Sequence, residues 1–200
     1  MRHGEVANPR HVVYGDLPGF GLSPLGRRQA EGAAAHLAPQ GADLLLTSPL
    51  QRAVETAAAI GGALGLRAVP DERLTEWRLG MRWNGTVWED LSRTFPGELE
   101  AYLEHPADLP FSPESLAAVA ARVASLVDEL GERHPGARAV LVSHQDPVQA
   151  ARLLLVGADL ATLHRDKPGH AAVLTLLPGP PWREAARWEP AGDGRRFPPV

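Results

Sequence analysis

The chain has no cysteine, which removes disulfide frameworks, thiolate zinc sites and cysteine nucleophiles at once. It has a single lysine, Lys167, among 20 basic residues; the excess of arginine, alongside abundant Ala, Gly and Pro, is read as nucleotide bias and assigned no role. It lacks any run of the roughly 20 apolar residues that a membrane-spanning helix needs. Its polar start, Met1-Arg2-His3-Gly4-Glu5, shows no secretory pattern. A cytoplasmic protein with no membrane partner is expected. An excess of positive charge is missing too: a net charge of -4 and a pI near 6.1 argue against a surface built to hold nucleic acid. What chemistry remains falls to His, Arg, Glu, Asp or Ser.

At 200 residues the chain suits one well-cored domain. Ala42 to Leu46 and Arg138 to Val142 are short apolar runs bounded by turn residues, which suits strands buried on both faces of a parallel sheet. A helix start follows each. Ser48-Pro49-Leu50-Gln51 and Asp146-Pro147-Val148-Gln149 place a capping residue before a Pro at the first helical position, with Gln three residues past the cap. Ser23-Pro24 and Ser112-Pro113 open two more helices, the second running through Ala118, Val119, Val123, Leu126 and Leu130 toward His134. Ala171 to Leu177 reads as a further strand. Trp88, Leu91, Phe95, Leu99 and Tyr102 recur at roughly helical spacing and mark a small helical insertion over about residues 86–110. Residues 178–200, rich in Pro and charge, read as a surface-hugging or loose tail. The pattern predicts one α/β domain over residues 1–177: a mostly parallel central sheet, helices on both faces, and functional loops at the carboxyl ends of the strands.

Arg2 and His3 open the chain, Ser48 and Arg52 follow the first apolar run, and Ser143 and His144 follow the second. In a parallel sheet these groups converge on one rim, where two arginines, two histidines and helix amino ends suit a tetrahedral dianion. A neutral imidazole attacks phosphorus when one ring nitrogen is free and a hydrogen bond to the other fixes the tautomer. Guanidinium groups can neutralise the equatorial oxygens, and a carboxyl must protonate the leaving alkoxide. Glu76, in Leu74-Thr75-Glu76-Trp77, is the candidate; Glu5, Asp71 and Glu72 are rival carboxyls.

The motifs resemble those of the histidine phosphatase (phosphoglycerate mutase-like) superfamily. Arg2-His3-Gly4-Glu5 looks like its signature, and Leu22-Ser23-Pro24-Leu25-Gly26 with Gln29-Ala30 its first helix entry. Ser48-Pro49-Leu50-Gln51-Arg52-Ala53 with Thr56-Ala57 is similar to its second helix, and Ser143-His144 to its second-histidine motif. Arg73-Leu74-Thr75-Glu76 with Gly80, Trp83 and Gly85 resembles the loop bearing the acid. The resemblance implies His3 as phosphorylated nucleophile, Arg2, Arg52 and His144 as phosphate ligands, and Glu76 as proton donor. Asn8 resembles a family asparagine that contacts phosphate, set one residue closer to the histidine.

The implied activity is a histidine acid phosphatase-type phosphomonoesterase, independent of metal and cofactor, acting on a small phosphorylated substrate; a homodimer is left open. Phosphoglycerate mutase-type transfer and a non-catalytic phosphoester-binding module are the alternatives. The other histidines show no close His-x-x-x-His or carboxylate grouping, so no metal is expected. His170 is a candidate for the pocket entrance, and residues 11–20 for a substrate-facing wall. Two positions depart from the family. An apolar strand normally precedes Arg-His-Gly, whereas only Met1 stands before Arg2, which reads as a natural start lying upstream. Gln145 stands where Gly is usual and is expected to narrow the pocket.

Overall fold

The computed structural model describes residues 1–191. Helix α1 (Pro24–Leu37) is followed by strand β1 (Leu44–Thr47), helix α2 (Gln51–Leu64) and strand β2 (Val69–Pro70). Three short helices, α3 (Leu79–Trp83), α4 (Leu91–Thr94) and α5 (Glu98–Glu104), lead into the long helix α6 (Leu116–Arg133). Strand β3 (Ala139–Val142), helix α7 (Gln145–Leu155) and strands β4 (Val173–Leu177) and β5 (Arg183–Trp188) complete it.

The parallel sheet runs β2-β1-β3, with Leu45 opposite Val140 and Thr47 opposite Val142. Leu45, Leu46, Val140 and Val142 are buried, as strands covered on both faces require. Met1 to His3 lie along β3: the Met1 amine donates to Leu141 O, Ser143 N to Met1 O and His3 N to Ser143 O. On their other side Arg2 N donates to Ala172 O and Ala171 N to His3 O. Three residues thus link the parallel sheet to the antiparallel β4-β5 pair.

Helices α1 and α2 pack together on one face, sharing a core of Ala33, Leu37, Ala53, Ala57 and Ile60 with Leu45 and Val142. Helices α6 and α7 cover the other, through Val123, Leu126 and Ala151 against Leu46. A separate cluster of Trp77, Trp83, Leu91, Tyr102, Leu116 and Leu163 holds the insertion. The expected single α/β layer arrangement is therefore what the chain adopts.

Several boundaries differ from expectation, each for a local reason. Ser23 caps α1 as read, its Oγ accepting from Gly26 N at 2.9 Å. The α6 start moves from Ser112 to Leu116, because Ser115 Oγ accepts from Ala118 N while Ser112 Oγ donates to Glu114 O. Helix α7 begins one residue before Asp146, with His144 in the cap position, and the Asp146 side chain turns instead to Tyr102 and Lys167. Ser48-Pro49 forms a turn ahead of α2, whose first residue is Gln51. The strand read from Ala171 starts at Val173. The largest correction concerns the tail: residues 183–188 form β5, its edge satisfied by β4. The remainder of the expected tail, 192–200, lies outside the described residues. Among the described residues no helix is long and apolar enough to cross a membrane.

Candidate active site

The signature loop is held in place by its non-catalytic members. Gly4 N donates to Thr56 Oγ1, which donates in turn to Arg52 O, so helix α2 fixes the residue that follows His3. Glu5 anchors the start of α1: Ser23 Oγ donates to Glu5 Oε1, and Glu5 N donates to Gln29 Oε1. Backbones meet here without side chains between them. A Cβ on Gly4 would fall 2.4 Å from Gly26 O, and one on Gly26 would fall 2.0 Å from Glu5 O, so neither position admits a larger residue.

His3 is 2% exposed and lines the cavity. Its Nδ1 donates to Gly4 O at 2.7 Å, because a carbonyl can only accept; Nε2 is therefore the nitrogen with the lone pair. Burial first, then the charges of Arg52, His144 and Arg2, hold its pKa well below the usual imidazole range. The ring is thus neutral at physiological pH. The His144 ring stands edge-on to it at 5.1 Å. Arg52 Nε donates to His144 Nδ1 at 3.2 Å, so His144 carries its proton on Nε2 and donates to Ser48 Oγ at 2.7 Å. Arg52 Nη2 donates to Gly15 O at 2.7 Å, and its guanidinium lies 4.8 Å above the Tyr14 ring.

Arg2 is held from behind. Its Nη1 donates to Pro168 O at 3.2 Å and its Nη2 to His170 Nε2 at 2.7 Å. His170, expected at the entrance, instead backs Arg2; burial lowers its pKa to about 2, which keeps it an uncharged acceptor. Glu76 Oε1 accepts from Trp77 N, and Oε2 lies 3.9 Å from His144 Nδ1. Burial, with the Asp146 charge second, pushes its pKa up to about 7 against the pull of Arg52. Its side chain is still 22% exposed, enough to exchange a proton with water. The rival carboxyls are occupied elsewhere: Asp71 binds Arg73, Glu5 anchors α1, and Glu72 accepts from Thr75 Oγ1.

The fold therefore brings Arg2, His3, Arg52, Glu76 and His144 together as the sequence suggested. Asn8 is held apart from that group by its own loop. Its Nδ2 donates to Val12 O and its Oδ1 accepts from Val12 N, so both ends of the amide tie the 8–12 loop. Of residues 11–20, Val13, Tyr14 and Gly15 line the cavity, as does Gln145. Sequence reasoning missed Arg122, which clamps the Glu76 loop by donating to Arg73 O, Glu76 O and Glu114 Oε1. It also missed the network of Lys167, Asp146 and Tyr102, with Lys167 Nζ 2.6 Å from Asp146 Oδ1 and 2.9 Å from the Tyr102 hydroxyl. The lone lysine in an arginine-rich chain was the available signal. Among the described residues no group of three or more His, Asp or Glu is placed to hold a metal ion.

Residues 1–189 match the model of the histidine phosphatase superfamily (branch 1). Phosphoserine phosphatase 1 of Hydrogenobacter thermophilus is 34% identical over 162 residues, covering 80% of this chain and 76% of that protein. Glucosyl-3-phosphoglycerate phosphatase of Mycobacterium tuberculosis is 35% identical over 170 residues, covering 80% and 75%. The solved mycobacterial glucosyl-3-phosphoglycerate phosphatase complexed with VO3 superposes at a TM-score of 0.83 with 31% identity, covering 95% of this chain and 96% of that one. With the family model running through nearly the whole sequence and phosphatases aligned over four-fifths of it, this chain belongs to the histidine phosphatase superfamily.

Proposed function

We propose that the protein hydrolyses a small phosphomonoester, without a metal, through a phosphohistidine on His3. The observation that carries this is the tautomer of His3: Nδ1 is committed to Gly4 O, and the ring lines a cavity shared with Arg2, Arg52 and Glu76. In the first step the Nε2 lone pair attacks phosphorus, and the ester P–O bond breaks with its electrons going to the leaving oxygen. That oxygen takes the Glu76 proton. Arg2 and Arg52 neutralise the charge that spreads over the phosphoryl oxygens, and His144, whose Nδ1 accepts from Arg52, holds that guanidinium in place. In the second step water attacks phosphorus and gives its proton to the Glu76 carboxylate, and the P–N bond breaks, returning its electrons to His3. A group with a pKa near 7 suits both duties at neutral pH. The relatives' names as phosphatases support this reading, as does a neighbour crystallised with VO3.

The test is phosphate release from an aryl phosphate, with and without chelator, together with trapping of an acid-labile, base-stable phosphoprotein. Chelator-resistant release and an adduct that disappears in His3→Ala are expected. Turnover in His3→Ala at the wild-type rate would overturn the reading, and isomerisation of phosphoglycerate faster than phosphate release would make the protein a mutase.

A further inference from the structure

The inner end of the cavity and its outer wall carry opposite chemistry. Arg2 and Arg52 stand at the inner end beside His3, whereas Val13, Trp77, Leu79, Trp83 and Trp88, with Tyr14, Tyr102 and Gln145, line much of the rest. These side chains are fixed by the insertion's own core: the Tyr102 ring lies 6.0 Å from Trp77 and 5.7 Å edge-on from Trp83. Alongside Arg2, His3 and Arg52, the carboxylic acids lining this space are Glu76, which lies beside His144, and Asp146. Lys167, behind Asp146, is already engaged by Asp146 and Tyr102 and is itself buried, its side chain 7% exposed.

Resting on the phosphomonoesterase reading above, we infer that this site takes esters of an uncharged alcohol with a planar or apolar face and turns away esters whose alcohol bears a carboxylate. The phosphoryl dianion engages both inner guanidinium groups. A carboxylate on the leaving group would then lie among indole and leucine side chains, with the Asp146 carboxylate lining the same space. Burying a charge there has a large penalty, and like-charge contact adds to it. A benzyl or similar ring meets surfaces of its own kind and gains by leaving water.

The experiment compares kcat/KM of the full chain for benzyl phosphate, 3-phosphoglycerate and the methyl ester of 3-phosphoglycerate, read by phosphate release. All three leave as alkoxides, so leaving-group chemistry is matched, and the last two differ by one charge. Benzyl phosphate is expected to exceed 3-phosphoglycerate by about 10²-fold, and the methyl ester to recover at least about tenfold over its acid. Trp88→Arg, which installs a cation on the outer wall, is expected to narrow the gap between benzyl phosphate and 3-phosphoglycerate by about tenfold. Equal or better turnover of 3-phosphoglycerate, or a gap that Trp88→Arg leaves unmoved, would overturn the inference while leaving the phosphatase reading intact. Failure of all three esters together with no His3 adduct would remove that reading and the inference with it.

Discussion

At the proposed phosphate end of the cavity the side chains leave the amino-terminal segment beside β3, the carboxyl end of β3 and the first turn of α2, and each is held by fixed partners: His3 by Gly4 O, His144 by Arg52 and Ser48, Arg52 by Gly15 O. At the outer end the wall comes from the short helices between β2 and α6, tied by aromatic packing and by the Lys167, Asp146 and Tyr102 network. The first region is positioned by backbone hydrogen bonds of a sheet. The second is positioned by side chains packing on one another. On the proposed function, reaction chemistry sits where geometry is hardest to move, and substrate choice sits where substitutions can be absorbed by repacking.

The largest expected break in that contrast comes from the inner end. Arg52→Ala removes a transition-state cation and the partner of His144 together; kcat/KM should fall by about 10³-fold, with Lys restoring little because it cannot reach Gly15 and His144 at once. Glu76→Gln should lower kcat for alkyl esters by about 10²- to 10³-fold and much less for aryl esters that leave unaided. The sign of its pH dependence follows from the raised pKa: the acid form is present below about 7 and lost above it, so phosphorylation of His3 should slow as pH rises through 7, and the variant should lose that limb.

At the outer end, Lys167→Met strands the Asp146 carboxylate in a buried site. A loss of about 3 kcal/mol in denaturant unfolding is expected, whereas inhibition by inorganic phosphate should stay near its wild-type strength. The smallest effect concerns the joint between the regions. Arg122→Gln frees the carbonyls of Arg73 and Glu76, and kcat should drop about tenfold with KM little changed, since the acid is misplaced rather than removed. Weakened phosphate inhibition in Lys167→Met, or an unchanged kcat in Arg122→Gln, would show the two ends to be coupled differently from this picture.

The unequal legibility of the chain follows the same division. The sheet, its covering helices and the five convergent residues were readable, because strand runs, Ser-Pro caps and the residues after them are local signals. The two hydrogen bonds of Asn8 to Val12 were not readable, because they depend on the path of a loop that no periodicity encodes. Strand β5 was hidden because its sequence, Arg183-Glu184-Ala185-Ala186-Arg187-Trp188, has no alternating apolar face; what makes it a strand is the exposed edge of β4. His170 could be found by sequence, but its service to Arg2 spans 168 residues of separation. Long-range side-chain pairs of that sort leave no trace in spacing.

The acceptors that hold Arg52 in the described structure, Gly15 O and His144 Nδ1, are both uncharged. Dipoles, not a paired carboxylate, steady this cation, so on the proposed function a tetrahedral dianion meets it without displacing a salt bridge. On that proposal inorganic phosphate is recognised by the same groups as the substrate. The reaction's product should therefore act as a stabiliser, raising the melting temperature with its concentration, and as a brake, lingering in the site after the chemistry is finished.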